Sequence, residues 1–79
     1  MIDSVTGERV QVHLDPEQGP FVYIVGAEDC KRLEYLLDAD YFVPYLKVKS
    51  PDLSLPVAWI YSFGSIADPR KLQALLDGI

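Results

Sequence analysis

Two short segments that are apolar on both faces place the strongest constraint on the fold of this chain. Residues 21–25 (FVYIV) and 57–63 (VAWIYSF) are rich in β-branched and aromatic side chains and lack the alternate charged positions of a half-exposed strand. Strands of this composition are typical of the interior of a sheet. Each segment precedes a leucine-rich helical pattern, so the sequence predicts an α+β domain with two central strands.

Two further strands are predicted where polar and apolar residues alternate, at 9–14 and 45–49. Both segments carry charged residues, and Pro44 adjoins the second one. Proline cannot donate a hydrogen bond to a neighbouring strand, and charge is typical of sheet edges. We therefore predict that these are the two edge strands.

Two helices complete the predicted element order, ββαββα. The first is predicted over residues 28–38 from its apolar stripe. The second is marked by Asp68 as the N-cap, by Pro69 at the first helical position and by Gly78 just past the end. A chain of 79 residues is long enough for one small core, so a single domain over residues 1–79 is predicted.

The predicted sheet order is 1-2-4-3, with both helices on one face. Hairpins pair strands 1 and 2 and strands 3 and 4, and right-handed crossovers through the helices then favour a parallel pairing of strands 2 and 4. This arrangement is a circularly permuted ferredoxin-like plait, and another pairing of two ββα units is the alternative. Matched apolar residues, such as Val12 and Val48, also predict an internal duplication with pseudo-repeats 8–39 and 43–79.

The alternation of each strand assigns its residues to one of two sheet faces. The helix-covered face is predicted to be aliphatic, and the opposite face to have an aromatic centre bordered by cations. A one-residue error in strand phase would exchange the two faces. The residues predicted on the covered face are Val10, Val12, Leu14, Val22, Ile24, Leu46, Val48, Ala58 and Ile60. Those predicted on the uncovered face are Arg9, Gln11, His13, Phe21, Tyr23, Val25, Tyr45, Lys47, Lys49, Val57, Trp59, Tyr61 and Phe63.

An uncovered aromatic face of several hundred Å² is more than a soluble monomer usually exposes. It predicts a homodimer or the docking of another protein, and the alternative is single-stranded nucleic acid, whose bases stack on sheet aromatics. A net charge of −5 and the lack of an RNP-like pattern disfavour nucleic acid. The predicted contact residues are Phe21, Tyr23, Tyr45, Trp59 and Tyr61, with Arg9, Lys47 and Lys49 at the rim.

The side chains that could take part in catalysis or bind a metal do not form a recognisable pattern. His13 is the only histidine and is predicted at an exposed edge, and Cys30 is predicted on the buried stripe of the first helix. The spacing of Asp38 and Asp40 fits neither an EF-hand nor a zinc site. We therefore expect a non-enzymatic interaction or regulatory domain without cofactor or metal, and a small dimeric enzyme of unknown reaction is the third alternative.

The sequence also bears on location. One cysteine rules out an internal disulfide framework, the first residues lack the basic and apolar regions of a signal peptide, and the longest apolar runs are too short to span a bilayer. These observations predict a cytoplasmic protein that does not enter a membrane.

Overall fold

Four strands and two helices follow one another in the predicted order in the computed structural model, which describes residues 1–50 and 58–78. The strands are β1 (His13–Asp15), β2 (Gly19–Ile24), β3 (Leu46–Lys49) and β4 (Trp59–Ser62). The helices are α1 (Ala27–Tyr35), which continues into a π-helical turn (Leu36–Asp40), and α2 (Pro69–Asp77). The prediction for Val57 falls on a residue outside this description.

The sheet has the order β1-β2-β4-β3, as predicted, and each of its neighbouring strand pairs is antiparallel. The predicted parallel pairing of the two central strands is wrong. The crossover through α1 makes β3 run parallel to β2, and β4 then runs in the opposite direction to β3. When β4 lies between these two strands, it is therefore antiparallel to both.

The core lies between the sheet and the two helices. Val22 and Ile24 of β2 are fully buried there, and the apolar stripes of both helices pack against the same cluster. Full burial of one such aliphatic side chain contributes about 1.5–3 kcal/mol, so this cluster is the main source of stability. The buried apolar residues are Met1, Val10, Val22, Ile24, Cys30, Leu33, Leu37, Tyr61, Phe63, Leu72 and Leu76.

An N-terminal hairpin that the sequence reading did not predict precedes β1. Ile2 and Arg9 form an antiparallel bridge, and the amide of Val10 donates to the carbonyl of Met1 over 3.0 Å. The buried Asp29 carboxylate in the first turn of α1 accepts hydrogen bonds from the amide and hydroxyl of Ser4, each 2.8 Å long. This carboxylate fastens the hairpin to the start of α1.

The first strand is shorter than predicted because α2 satisfies part of its backbone. The side-chain oxygen of Gln73 accepts from the amide of Val12 over 2.8 Å, and the Gln73 amide nitrogen donates to the carbonyl of Val10 over 3.1 Å. The Gln73 side chain therefore takes the place of a neighbouring strand. Residues 10–12 consequently remain outside the ladder, which begins at His13.

The predicted limits of the second helix are confirmed. Asp68 caps α2 by accepting from the amides of Arg70 and Lys71 over 2.9 and 3.4 Å, Pro69 begins the helix, and Gly78 ends it. This is the arrangement expected when a carboxylate satisfies the free amides of a first helical turn. The cap fixes where α2 starts and therefore which of its faces meets the core.

A tight turn joins β1 to β2. The Asp15 carboxylate accepts from the amides of Glu17 and Gln18 over 2.8 and 2.9 Å, and these bonds lower its pKa. Gly19 follows with a φ of 84°, and a Cβ atom there would lie 2.6 Å from the Cα of Ser65. The turn therefore requires glycine for two reasons, its backbone conformation and the close approach of another segment.

Candidate functional site

The register between the central strands shows which residues of β4 face the core. Directly opposed residues of an antiparallel pair project from the same face, and Tyr61 opposes Val22 while Trp59 opposes Ile24. Both β2 residues are buried beneath the helices, and Tyr61 is itself 0% exposed. Trp59 and Tyr61 therefore lie on the helix-covered face, and the prediction that they occupy the uncovered face is wrong.

The side chains of β3 also project from the side of the sheet opposite to the predicted one. Lys47 opposes Tyr61 and Lys49 opposes Trp59, so both lysines belong to the helix-covered side of the sheet. Tyr45 packs against the core, with its ring centroid 5.5 Å from that of Tyr61, and burial raises its pKa. None of these three predicted contact residues lies on the uncovered face.

Arg9 borders the aromatic residues of that face, since it lines the same depression as His13 and Tyr23. Its guanidinium forms two hydrogen bonds, of 2.8 and 2.6 Å, with the carboxylate of Asp77 at the end of α2. The guanidinium lowers the pKa of Asp77 to about 2. Arg9 therefore joins the N-terminal hairpin to the helix layer, and of the three predicted rim cations it alone borders the uncovered face, with its charge paired to Asp77.

A single carboxylate explains why the phase of β3 and β4 differs from the prediction. Oε2 of Glu34, on the inner side of α1, accepts from the Tyr61 hydroxyl over 2.6 Å and from Nζ of Lys47 over 2.8 Å. The same Nζ lies 4.6 Å from the centre of the Trp59 ring. Polar atoms that are hydrogen-bonded can be buried at little cost, so these residues can face the helices.

The electrostatics of this polar cluster follow from its geometry. Hydrogen bonds from Lys47 and then from Tyr61 lower the pKa of Glu34. Burial raises the pKa of the Tyr61 hydroxyl strongly, and its hydrogen bonds with Cys30 and Glu34 add to this effect. Tyr61 is therefore a neutral donor and Glu34 an ionised acceptor at neutral pH.

Sequence reasoning missed Glu34, although a signal for it existed. Glu34 follows the buried Leu33 and lies one helical turn after the buried Cys30, so it borders the inner stripe of α1. A carboxylate in that place requires a donor from the sheet. Tyr61 and Lys47 were the available donors.

The uncovered side of the sheet, which we call the open face, combines confirmed and unpredicted residues. Phe21, Tyr23 and His13 lie there as predicted, and their rings contact one another with centroids 5.4 to 5.6 Å apart. The register adds aliphatic side chains from the other two strands, of which Leu46 is 65% and Val48 41% exposed. The open face consists of His13, Phe21, Tyr23, Leu46, Val48, Ile60 and Ser62.

The open face is almost free of charge. No lysine or arginine is found among the residues of the four paired strands that project from it, and Asp15, at the far end of β1, is the single acidic residue there. The charged residues of β3 project from the other side. The open face is therefore an apolar surface with an aromatic cluster over β1 and β2.

A polar depression of about 560 Å³ adjoins the aromatic cluster. It lies between the N-terminal hairpin, which contributes Asp3, Glu8 and Arg9, and the side chains of Gln11, His13 and Tyr23. In the described ranges 1–50 and 58–78, no group of three His, Cys, Asp or Glu residues is placed to hold a metal ion.

The residues considered for chemistry lie in separate parts of the fold. Cys30 is buried and free of disulfide bonds. Asp38 accepts a hydrogen bond of 3.3 Å from the Tyr45 hydroxyl, whereas Asp40 is exposed at the end of the π-helical turn. The ring of His13 contacts two aromatic rings. These positions do not converge on one centre.

No helix within the described residues is long and apolar enough to cross a membrane. The chain matches no protein-family model, and comparisons with curated proteins and with solved structures gave no significant match. The exposed apolar surface of the open face is therefore the main structural feature that points to a function.

Proposed function

We propose that this chain is a small non-enzymatic interaction domain that forms a homodimer by packing two open faces against each other. The observation that carries this proposal is a continuous apolar surface, from Tyr23 on β2 to Leu46 and Val48 on β3, that no part of the described chain covers. Surfaces of this kind mark association sites in small proteins.

A second copy suits this surface better than a charged partner does. Each copy carries a net charge of −5, so two copies repel each other at most orientations. The open face lacks lysine and arginine on its strands and has one acidic residue at its margin, so repulsion is smallest there. A two-fold axis then places each apolar residue against an apolar counterpart.

The size of the open face predicts a weak dimer. Strands of three, six, four and four residues, spaced about 4.8 Å apart with about 3.3 Å per residue, give a footprint of roughly 270 Å² per copy. Side chains that project from the sheet add to this flat footprint. The area buried by two copies together still falls below the ~1,200–2,000 Å² of stable complexes. We therefore propose an association that depends on concentration in the micromolar range.

Nucleic acid is a weaker candidate for the open face. That alternative required Arg9, Lys47 and Lys49 to follow the phosphates beside the aromatic cluster. Arg9 is paired with Asp77, and both lysines project from the other side of the sheet. The aromatic cluster alone would stack on bases without neutralising the phosphate charges of the nucleic acid.

The architecture supports a proposal about the fold. Strands β2, β3 and β4 with the two helices have the order of a ferredoxin-like plait, and β1 takes the edge position beside β2 that the last strand would otherwise fill. We propose a circularly permuted ferredoxin-like fold in one domain. The pseudo-repeats 8–39 and 43–79 remain part of this proposal, as does a cytoplasmic location.

The dimer is tested by light scattering coupled to size exclusion over a concentration series, from about 5 μM to 500 μM, because a small interface gives a weak equilibrium. The wild type is expected to shift from monomer to dimer. Val48→Glu and Tyr23→Glu are expected to remain monomeric and folded, since each places a charge on a 41% or 44% exposed position of the open face.

Ile66→Glu is the matched control, because Ile66 is 99% exposed in the loop before α2 and lies outside the open face. It should associate like the wild type. A wild-type chain that stays monomeric over the whole series, or a control variant as defective as Val48→Glu, refutes the proposal.

A further inference from the structure

The segment after α1 holds an aromatic side chain in an unfavourable position. The π-helical turn Leu36–Asp40 ends the helix, and Phe42 follows with a φ of 54° and 79% of its surface exposed. Left-handed backbone is disfavoured for a residue with a bulky side chain, and exposure of a phenyl ring forgoes hydrophobic stabilisation. Backbone outliers that a fold maintains are enriched at functional sites.

Hydrogen bonds on both sides of Phe42 maintain this conformation. The amide of Tyr41 donates to the carbonyl of Leu36, and the amide of Val43 donates to that of Leu37, both over 2.9 Å. Leu37 is buried in the core, so the turn is anchored while the Phe42 ring projects outwards. The exposed ring is therefore a built feature of the helix layer.

Other exposed aromatic residues surround a groove next to this turn. Tyr35 and Tyr41 are 66% and 49% exposed and line a groove of about 490 Å³ together with Leu36. Lys31 and Arg32, on the exposed side of α1, line the same groove. We call four of these lining residues, Lys31, Arg32, Tyr35 and Tyr41, together with Phe42, which follows Tyr41 in the chain beside the groove, the corner site.

The charge of the corner site is opposite to that of the whole chain. In the described part of the chain, the ion pairs are Arg9 with Asp77 and Lys47 with Glu34, so neither Lys31 nor Arg32 has an ionic partner there. Among the described residues that line the groove, Glu28 is the only acidic one. On a chain with net charge −5, this groove is a local cationic surface that also presents aromatic rings.

We propose that the corner site binds an acidic segment of a partner protein that also carries apolar side chains. Lys31 and Arg32 pair with its carboxylates, and Phe42, Tyr35 and Tyr41 contact its apolar residues. Aromatic residues and arginine are the usual anchors of such interfaces. The corner site lies on the helix layer, so this proposal is independent of the dimer formed through the open face.

Binding is tested by fluorescence anisotropy with a labelled synthetic peptide of alternating glutamate and leucine or phenylalanine. A peptide with lysine in place of glutamate is the control probe. The acidic peptide is expected to bind saturably and at least about tenfold more tightly than the basic one, with an affinity that falls as salt increases.

Two double variants with the same charge change separate the corner site from general electrostatics. Lys31→Glu/Arg32→Glu is expected to weaken binding of the acidic peptide at least about tenfold. Arg70→Glu/Lys71→Glu, on the exposed start of α2, is expected to change it less than about twofold. Val48→Glu, on the open face, should leave it unchanged even if it abolishes the dimer.

A variant of Phe42 tests whether the strained backbone is kept for binding. Phe42→Asn is expected to raise Tm by about 2–4 °C, because asparagine tolerates the left-handed region, and to weaken peptide binding at least about fivefold. A lowered Tm, equal binding of acidic and basic peptides, or equal losses in the two double variants overturns the proposal. Loss of self-association in the Phe42 variant would instead assign the ring to a second copy of the chain and also overturn it.

Discussion

Tyr61 provides a direct test of the strand phase because its hydroxyl is hydrogen-bonded to α1 beneath the sheet. The side chain is fully buried, and its hydroxyl donates to Oε2 of Glu34 over 2.6 Å. Tyr61→Phe removes this oxygen and keeps the ring, so the core is not left with a cavity. The substitution therefore removes the hydrogen bonding of this hydroxyl with α1, of which the bond to Glu34 is the charged part.

The loss of unfolding free energy expected for Tyr61→Phe follows from the charge and the exposure of the acceptor, Glu34. A hydrogen bond to a charged group contributes about 1.5–3 kcal/mol to the free energy of unfolding. Glu34 keeps Lys47 as a partner and its side chain is 30% exposed, so water can replace part of the lost bond. We expect a loss of about 1–2 kcal/mol, which in a domain of this size lowers Tm by roughly 4–16 °C.

The assay is thermal and urea unfolding followed by circular dichroism, combined with a double-mutant cycle. Tyr61→Phe, Glu34→Gln and the double variant are compared with the wild type, and the coupling energy between the two sites is expected to reach about 1 kcal/mol. Tyr23→Phe is the matched control, because Tyr23 lies on the open face and is 44% exposed. Its effect should stay within about 0.5 kcal/mol.

The placement of Tyr61 on the helix-covered face is refuted if Tyr61→Phe is as neutral as Tyr23→Phe and shows no coupling to Glu34. That result would place the Tyr61 hydroxyl in solvent, as the strand phase predicted from the sequence requires. If instead Tyr61→Phe is destabilising and Tyr23→Phe is neutral, the two tyrosines lie on opposite faces of the sheet.

Two further predictions concern acid stability and the first turn. The pKa of Glu34 lies below its ordinary value of 4.5 in the folded chain, so its contribution to stability is present above pH 4.5 and is lost as the pH falls through the folded value. Glu34→Gln should therefore reduce the loss of stability on acidification measured by urea titration; an unchanged acid profile would contradict this. Gly19→Ala should destabilise the fold by at least about 2 kcal/mol, since φ is 84° and the added Cβ would meet backbone at 2.6 Å. Gly7→Ala, with φ of 75° and open space around it, is the control and should cost only about 1 kcal/mol in chemical denaturation; equal effects would argue against the close approach at Gly19.

The elements that depend on local signals could be predicted from the sequence. The N-cap Asp68, Pro69 and Gly78 define α2 through interactions within a few residues, and the turn at Asp15 is of the same kind. The sheet order also followed from local composition, because the edge strands carry charged residues and the central strands do not. These features are encoded by neighbouring residues, so no knowledge of distant contacts was needed.

What the tertiary structure alone decided was which side of β3 and β4 meets the helices. Both strands have side chains of mixed character on each side, so period-two alternation did not distinguish Tyr61 from Ile60 or Lys47 from Val48. Glu34 decided between them, because its carboxylate on α1 satisfies the hydroxyl and the ammonium group together. That partner is distant in sequence, and the choice it makes leaves an open face that is apolar instead of cationic.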